Sequence, residues 1–234
     1  IISSPSFYLA SPSKLLVLAT LLYGVRLTIY LVLRQCTVVG IHKQSDMAEG
    51  MSRVKSNFLA VAVAFLYACF QLPVLYALRE NYAWYGDKRF HIRLVESVGL
   101  IMCYLGLLLE TVADHQKYLV KRRFDAAYDE TKFVGPTGGV YSLCRHPNYL
   151  GEVLFWIGMY ITSMFSLGTN MVAWVFSTIG LWSIVSIMLG STVRLERKHQ
   201  EKYGNQEKFQ VWQNHVRAPL IPFIEKNLII WGIK

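Results

Sequence analysis

Residues 58–78 read FLAVAVAFLYACFQLPVLYAL, an apolar run without a single charged side chain. A helix that crosses the hydrocarbon core of a membrane needs about 20 mostly apolar residues, and this run has that length. It is continuous, so it does not match the alternating strands of about ten residues that build a membrane β-barrel. The stretch therefore predicts a membrane-spanning helix.

Four further apolar stretches approach the same length. They are residues 15–33, 94–112, 149–166 and 171–190. With residues 58–78 they predict an all-α, multi-pass transmembrane helical bundle of five spanning helices. Residues 1–234 are expected to form one integral membrane domain. Within it, residues 191–234 are expected to form a charged helix that Gly204 can end and a tail, containing Leu228 to Trp231, that lies along the membrane interface.

The composition excludes several other classes of protein. Hydrophobic residues make up 53% of the 234 residues, and their grouping into long blocks excludes an ordinary soluble domain. The same share is too large for a disordered chain. The net charge of +9 does not indicate nucleic-acid binding, because the basic residues are spread over three loops without a DNA-binding or RNA-binding motif.

The basic residues are distributed unequally between the two sides of the membrane. Five alternating spans place residues 34–57, residues 114–148 and the chain after Gly190 on one side, and these segments hold 18 Lys and Arg against five on the other. The basic side should face cytosol, matrix or stroma, in the endoplasmic reticulum or in an organelle membrane. Membrane lipids with anionic headgroups are expected partners of this side.

The end of the third span carries a polar stripe. Its charged residues are Glu110, Asp114, Lys117 and Lys121, which recur at helical spacing and so share one face. The stripe could line a cavity that opens toward the loops. The alternative is a ladder of side-chain pairs in which the two lysines reach the lipid headgroups. An acid inside a span, such as Glu110, favours the cavity.

A second polar cluster precedes the fourth span. Pro147 fits the first turn of a helix, so the helix should open at the membrane surface with a positive dipole end beside Arg145 and His146. Such an end is an anion site. Asn148 and Glu152, four residues apart, share a face. The alternative is a capped helix start with an Arg that touches lipid phosphate.

A third cluster follows the fifth span. Arg194, Arg197, Lys198 and Glu201 recur at helical spacing, which taken alone is typical of a solvated face. All three clusters emerge on the same side, however, and together they could offer phosphate donors and ribose acceptors. They therefore predict a site for a dinucleotide or another anionic cofactor.

The cysteines do not indicate a metal site. They are Cys36, Cys69, Cys103 and Cys144, without CxxC or Cys/His spacing, and two of them lie within spans. We interpret them as packing residues, and no metal is expected.

Four short motifs suggest a relationship to known proteins: Arg145-His-Pro-Asn-Tyr-Leu-Gly-Glu152, Ala113-Asp-His-Gln-Lys117, Lys202-Tyr-Gly204 with Ile221-Pro-Phe-Ile224, and Tyr23-Gly-Val-Arg26-Leu with Arg34. Through them the sequence resembles the membrane reductases of the steroid 5-alpha-reductase type and their sterol Δ14- and Δ7-reductase relatives. The likeness is greatest to a largely uncharacterised branch of that family and covers roughly residues 23–224. Isoprenylcysteine carboxyl methyltransferases and phospholipid methyltransferases share a similar Arg-His-Pro-x-Tyr motif and bind S-adenosylmethionine there.

The resemblance implies a cofactor and a set of residues that hold it. The cofactor is NADPH, and Glu152 and Glu196 are hydrogen-bond acceptors or orienting groups. The residues implied to hold NADPH are Lys117, Lys121, Arg145, His146, Asn148, Tyr149 and Arg194.

The implied reaction is reduction of a C=C bond in a lipid, sterol or isoprenoid substrate. Such a reaction needs a proton donor beside the nicotinamide. Glu110 is the first candidate donor or orienting group, and Glu96 is the second. Two other functions stay open: an S-adenosylmethionine-dependent methyltransferase of a lipid or prenylated substrate, and a non-catalytic structural subunit of a larger membrane complex that keeps the family fold.

Overall fold

The computed structural model describes residues 11–37, 52–79, 89–123 and 131–222. These residues form α-helices and short 3-10 helices and contain no strand, so the predicted all-α class is confirmed. The α-helices are α1 (Pro12–Thr37), α2 (Arg53–Arg79), α3 (Arg89–Arg123), α4 (Pro147–Ser163), α5 (Met171–Tyr203) and α6 (Glu207–His215). The 3-10 helices are Gly139–Ser142 and Met164–Leu167.

Five helices among the described residues are long and apolar enough to cross a membrane, which confirms the predicted multi-pass character. The candidate spans are Pro12–Cys36, Arg53–Arg79, Phe90–Lys121, Pro147–Leu167 and Met171–Tyr203. They extend beyond the apolar cores because charged residues continue the helices at their ends.

The helix boundaries follow local sequence signals. Pro147 begins α4, where its missing N–H costs no hydrogen bond, and α5 ends at Tyr203, directly before Gly204. The sequence does not predict α6 as a separate helix. Residues 228–231 of the expected interfacial tail lie outside the described residues.

The chain divides into two compact units. Of the described residues, unit 1 comprises 11–25, 52–79, 89–107 and 153–184, and unit 2 comprises 26–37, 108–123, 131–152 and 185–222. Unit 2 therefore contains the described parts of residues 114–148 and of the chain after Gly190, which the sequence predicts on the basic side. The single-domain organisation stays a prediction.

Unit 1 has an aromatic core. The rings of Tyr23 and Phe155 stack with their centroids 4.6 Å apart, and Trp156 meets Phe70 at 5.2 Å. All four side chains are buried. These contacts join α1, α2 and α4, because each helix contributes at least one ring.

Helices α3 and α4 approach closely in unit 1 at two glycines. A Cβ atom at Gly99 would lie 2.7 Å from the carbonyl oxygen of Gly158, and one at Gly158 would lie 2.6 Å from the amide nitrogen of Cys103. The neighbours are backbone atoms, which cannot rotate away. The two glycines therefore set the distance between the helices, as small residues commonly do in membrane helix pairs.

We expect Gly99→Ala to lower the free energy of unfolding by about 1–3 kcal/mol, the usual effect of overpacking a close contact. Thermal unfolding of the detergent-solubilised protein, followed by circular dichroism, measures this. Gly24→Ala is the matched control, because a Cβ atom there meets nothing within 4 Å. Equal stability of the two variants would show that the close approach of α3 and α4 is not required.

Candidate functional site

Unit 2 contains a buried, mainly aromatic cluster. Its buried members are Ala113, Tyr141, Phe209, Trp212 and Val216, with Phe133, Val140 and Tyr203 packed against them. The side chain of Gln206 accepts a hydrogen bond from the Phe133 amide at 2.7 Å and donates one to the Thr131 carbonyl at 2.5 Å. The segment that starts at Thr131 is thereby fixed beside α6.

The 3-10 helix Gly139–Ser142 is anchored to α3. The amide of Val140 donates to Gln116 Oε1 at 3.3 Å, and the Tyr141 hydroxyl donates to the Ala113 carbonyl at 3.3 Å. Gly139 has a φ of +65°, in the left-handed region, and a Cβ atom there would collide with the side chain of Gln116. The backbone conformation thus favours glycine at this position, and a larger residue would also force the Gln116 side chain to move.

Arg145 is buried and engaged with other parts of unit 2. Its Nε and Nη2 groups donate to the Glu196 carboxylate at 3.0 and 2.7 Å, and Nη1 donates to the carbonyls of Val216 and Arg217 at 2.6 and 2.9 Å. A guanidinium has five N–H donors, and four are used here. Arg145 therefore ties the start of α4 to α5 and to the segment after α6.

His146 belongs to the same network. Its Nε2 atom lies 2.8 Å from Glu196 Oε1, and burial lowers the pKa of His146 below its ordinary value although Glu196 acts in the opposite direction. Because a carboxylate only accepts hydrogen bonds, the His146 Nε2–H is the donor to Glu196. The amides of Arg145 and His146 donate to the carbonyls of Ala218 and Pro219, both at 3.0 Å. Many of the donors expected to bind an anion are thus used within the protein.

A cavity of about 460 Å³ lies beside this network, entirely within unit 2. Among the residues that the structure describes, none that lines it is an Asp or a Glu. The Lys and Arg residues that line it are Arg34, Lys117, Lys121, Lys132, Arg145, Lys198 and Lys202. We call this space the cationic cavity. Its polar and aromatic lining includes Tyr141, His146, Asn148, Tyr149, His199, Tyr203 and Trp212.

The cationic cavity brings together most of the residues that the resemblance implies for cofactor binding. They are Lys117, Lys121, Arg145, His146, Asn148 and Tyr149. Arg194 is not among the lining residues: it is exposed and donates to Ser191 Oγ at 2.8 Å on its own helix. Glu196 accepts from Arg145 and His146, and Glu152 lies beside Glu110.

Several lining residues are not among those predicted. Lys198 and Lys202 follow Arg194 by one and two helical turns, so the spacing of the third cluster already indicated the face they share. Arg34 and Lys132 come from α1 and from the segment after α3. Nothing in a single sequence shows that those two segments meet α5.

Unit 2 also contains a buried ion cluster around Arg26, a residue that is not among the predicted cofactor-binding residues. Its guanidinium forms ion pairs with Glu110 and, at 2.9 Å, with Asp114. An arginine inside an apolar span needs an acid from another span, and that signal could have identified the pair. Glu96, the second candidate proton donor, is buried but belongs to unit 1, whereas Glu110 belongs to unit 2.

Five candidate spans and a cavity lined by basic residues define the protein as a multi-pass helical membrane protein with a site suited to an anionic ligand. The chain belongs to the family described as a protein of unknown function (DUF1295), whose family model matches residues 6–216. No curated protein and no solved structure matches the chain.

Proposed function

We propose that this protein is a membrane-embedded, NADPH-dependent reductase of a C=C bond in a lipid, sterol or isoprenoid substrate. The observation that carries the proposal is the cationic cavity, whose lining, over the described part of the chain, has seven Lys and Arg residues and no acid. NADPH has a pyrophosphate and a 2′-phosphate, and both are stabilised by charge-assisted hydrogen bonds from basic side chains. The motif resemblance to the steroid 5-alpha-reductase type supports the same function.

The residues around the cavity suit such a cofactor. Lys117 and Lys121 on α3 and Lys198 on α5 would hold the phosphates, while Asn148 and Tyr149 offer groups for its uncharged parts. The volume falls within the range of about 300–1,000 Å³ that is usual for ligand sites. When bound, NADPH supplies a hydride, and the chain's part is to bind and orient it.

The lining supports one of the two cofactors that the sequence left open. S-adenosylmethionine carries a sulfonium cation, an ammonium group and one carboxylate, so its net charge is positive and basic side chains disfavour it. The absence of acids among the described lining residues of the cationic cavity therefore favours the dinucleotide. The substrate would enter from the membrane, in the endoplasmic reticulum or an organelle, with the basic side toward cytosol, matrix or stroma.

We expect Lys198→Gln to raise the Kd for NADPH about tenfold or more, because a charge-assisted hydrogen bond contributes roughly 1.5–3 kcal/mol. Calorimetric titration of the detergent-solubilised protein measures this. Arg197→Gln is the matched control: it removes the same charge from the neighbouring position, where the side chain is 75% exposed and does not line the cavity. Its Kd should equal that of the wild type.

The same titration tests the other functions. Saturable binding of S-adenosylmethionine alone would replace the reductase by the methyltransferase. Binding of neither compound to folded protein would favour the non-catalytic structural subunit of a larger membrane complex. Equal affinity for NADPH and NADH would contradict the expected contacts to the 2′-phosphate.

A further inference from the structure

Six aromatic side chains that line the cationic cavity form a continuous row within unit 2. The centroids of neighbouring rings in the row lie between 5.3 and 6.3 Å apart. From one end to the other, the rings are those of Tyr149, His146, His199, Tyr203, Phe133 and Trp212. The row therefore gives the order in which α4, α5, the segment after α3 and α6 lie along this wall.

The two ends of the row differ in their position relative to the membrane core. Tyr149 lies in the first turn of α4, where the apolar residues of that candidate span begin. Trp212 belongs to α6, which has nine residues and is not a candidate span. Tyr203 ends α5, whose 33 residues at about 1.5 Å each exceed the roughly 30 Å of a hydrocarbon core. The charged last part of α5 is therefore outside the core, and Tyr149 marks the end of the row that is nearest to it.

The location of the substrate decides which end of the row meets the nicotinamide. Under the proposed function the hydride goes to a lipid-like molecule held in the membrane, so the nicotinamide lies at the Tyr149 end. In NADPH the pyrophosphate separates the nicotinamide from the adenosine. The adenosine then lies toward Tyr203, Phe133 and Trp212. Its ribose carries the 2′-phosphate, the group that distinguishes NADPH from NADH.

A basic side chain lies at this adenosine end. Lys202 lines the cavity, and its Nζ atom is 5.6 Å from the centroid of the Tyr203 ring. An ammonium group has three N–H donors, so contact with a ring is compatible with donation to a phosphate. Lys198 also lines the cavity, one helical turn earlier, and directly precedes His199 in the middle of the row. Its position matches the pyrophosphate, which is in the middle of the dinucleotide.

We propose that Lys202 binds the 2′-phosphate of NADPH and makes the cavity selective for NADPH over NADH. The identity of the cofactor rests on the proposed function, whereas the place of Lys202 rests on the row of rings. Lys198 binds the pyrophosphate, which both dinucleotides carry. Loss of the Lys202 charge therefore changes the preference between the two dinucleotides, and loss of the Lys198 charge weakens both.

Calorimetric titration of the detergent-solubilised full chain with NADPH and with NADH tests the proposal. We expect Lys202→Gln to raise the Kd for NADPH about tenfold and to leave the Kd for NADH unchanged. Lys198→Gln should raise both constants, and Lys202→Arg should retain the preference for NADPH. The matched control is Lys208→Gln, which changes the next lysine along the chain, an exposed residue that does not line the cationic cavity. Both constants should keep their wild-type values there.

The outcomes separate this proposal from the proposed function. If the wild type binds NADPH but Lys202→Gln binds it equally well, the role of Lys202 is wrong and the reductase stands. An equal rise of both constants in Lys202→Gln, or a loss for NADPH alone in Lys198→Gln, also overturns the assignment. Binding of neither dinucleotide to the folded wild type ends both proposals. Should Lys202→Gln fail to fold, Lys202→Met, which keeps the apolar stem, decides by the same criteria.

Discussion

Glu196→Ala should lower the free energy of unfolding by about 3–5 kcal/mol, because it leaves a buried guanidinium without its charge partner. Arg145 is 2% exposed, and two of its nitrogens donate to this carboxylate. His146 would lose its acceptor as well. Denaturant or thermal unfolding of the detergent-solubilised protein measures the loss.

The same helix offers a matched control. Glu201 pairs with Arg197 at 4.0 Å, but these side chains are 71% and 75% exposed, so Glu201→Ala should change stability by less than about 1 kcal/mol. The double variant Arg145→Met/Glu196→Met should lose less unfolding free energy than the two single variants lose in sum, because neither buried charge is left without its partner. Equal effects of Glu196→Ala and Glu201→Ala would mean that Arg145 is not held by this pair.

Arg26→Met should have an effect of similar size, about 3–5 kcal/mol at neutral pH. The substitution leaves Glu110 and Asp114 buried without the cation that contacts both. The loss should shrink as the pH falls, because protonation removes the uncompensated negative charges. Thermal unfolding measured over a range of pH gives both the size and the trend.

A variant without the unpaired carboxylates tests whether they cause the loss of stability in Arg26→Met. In the triple variant Arg26→Met/Glu110→Gln/Asp114→Asn the unpaired charges are gone, so most of the lost stability should return. Arg79→Met removes a cation from an exposed position at the end of α2 and should have little effect. A triple variant as unstable as Arg26→Met would indicate that the arginine contributes by packing.

The spans and several helix ends could be predicted from the sequence because they depend on local features. Length and apolar composition identify the five spanning helices, and Pro147 and Gly204 mark two boundaries. Helix α6 was missed, although Phe209, Trp212 and Val216 recur at helical spacing and are buried together. The apolar pattern extends over only about two helical turns, which is too short to distinguish a helix from a loop by sequence alone.

The pairing of polar side chains could not be predicted in the same way. Arg145 and Glu196 are 51 residues apart and Arg26 and Glu110 are 84 apart. A single sequence shows which face of each helix is polar, but not which faces meet. The resemblance implied Arg145 as a ligand of the cofactor and Glu196 as a hydrogen-bond acceptor or orienting group, but the contact between these two side chains appears only in the structure.

The network around Arg145 also has a consequence for biogenesis. The partners of its side chain are Glu196, Val216 and Arg217, all of which are synthesised after it. At translation rates of about 5–20 residues/s, the delay before these partners exist is roughly 3–15 s. During that time the guanidinium has none of these partners. The native contacts of Arg145 can thus form only after α5 and residues 216–217 have been synthesised.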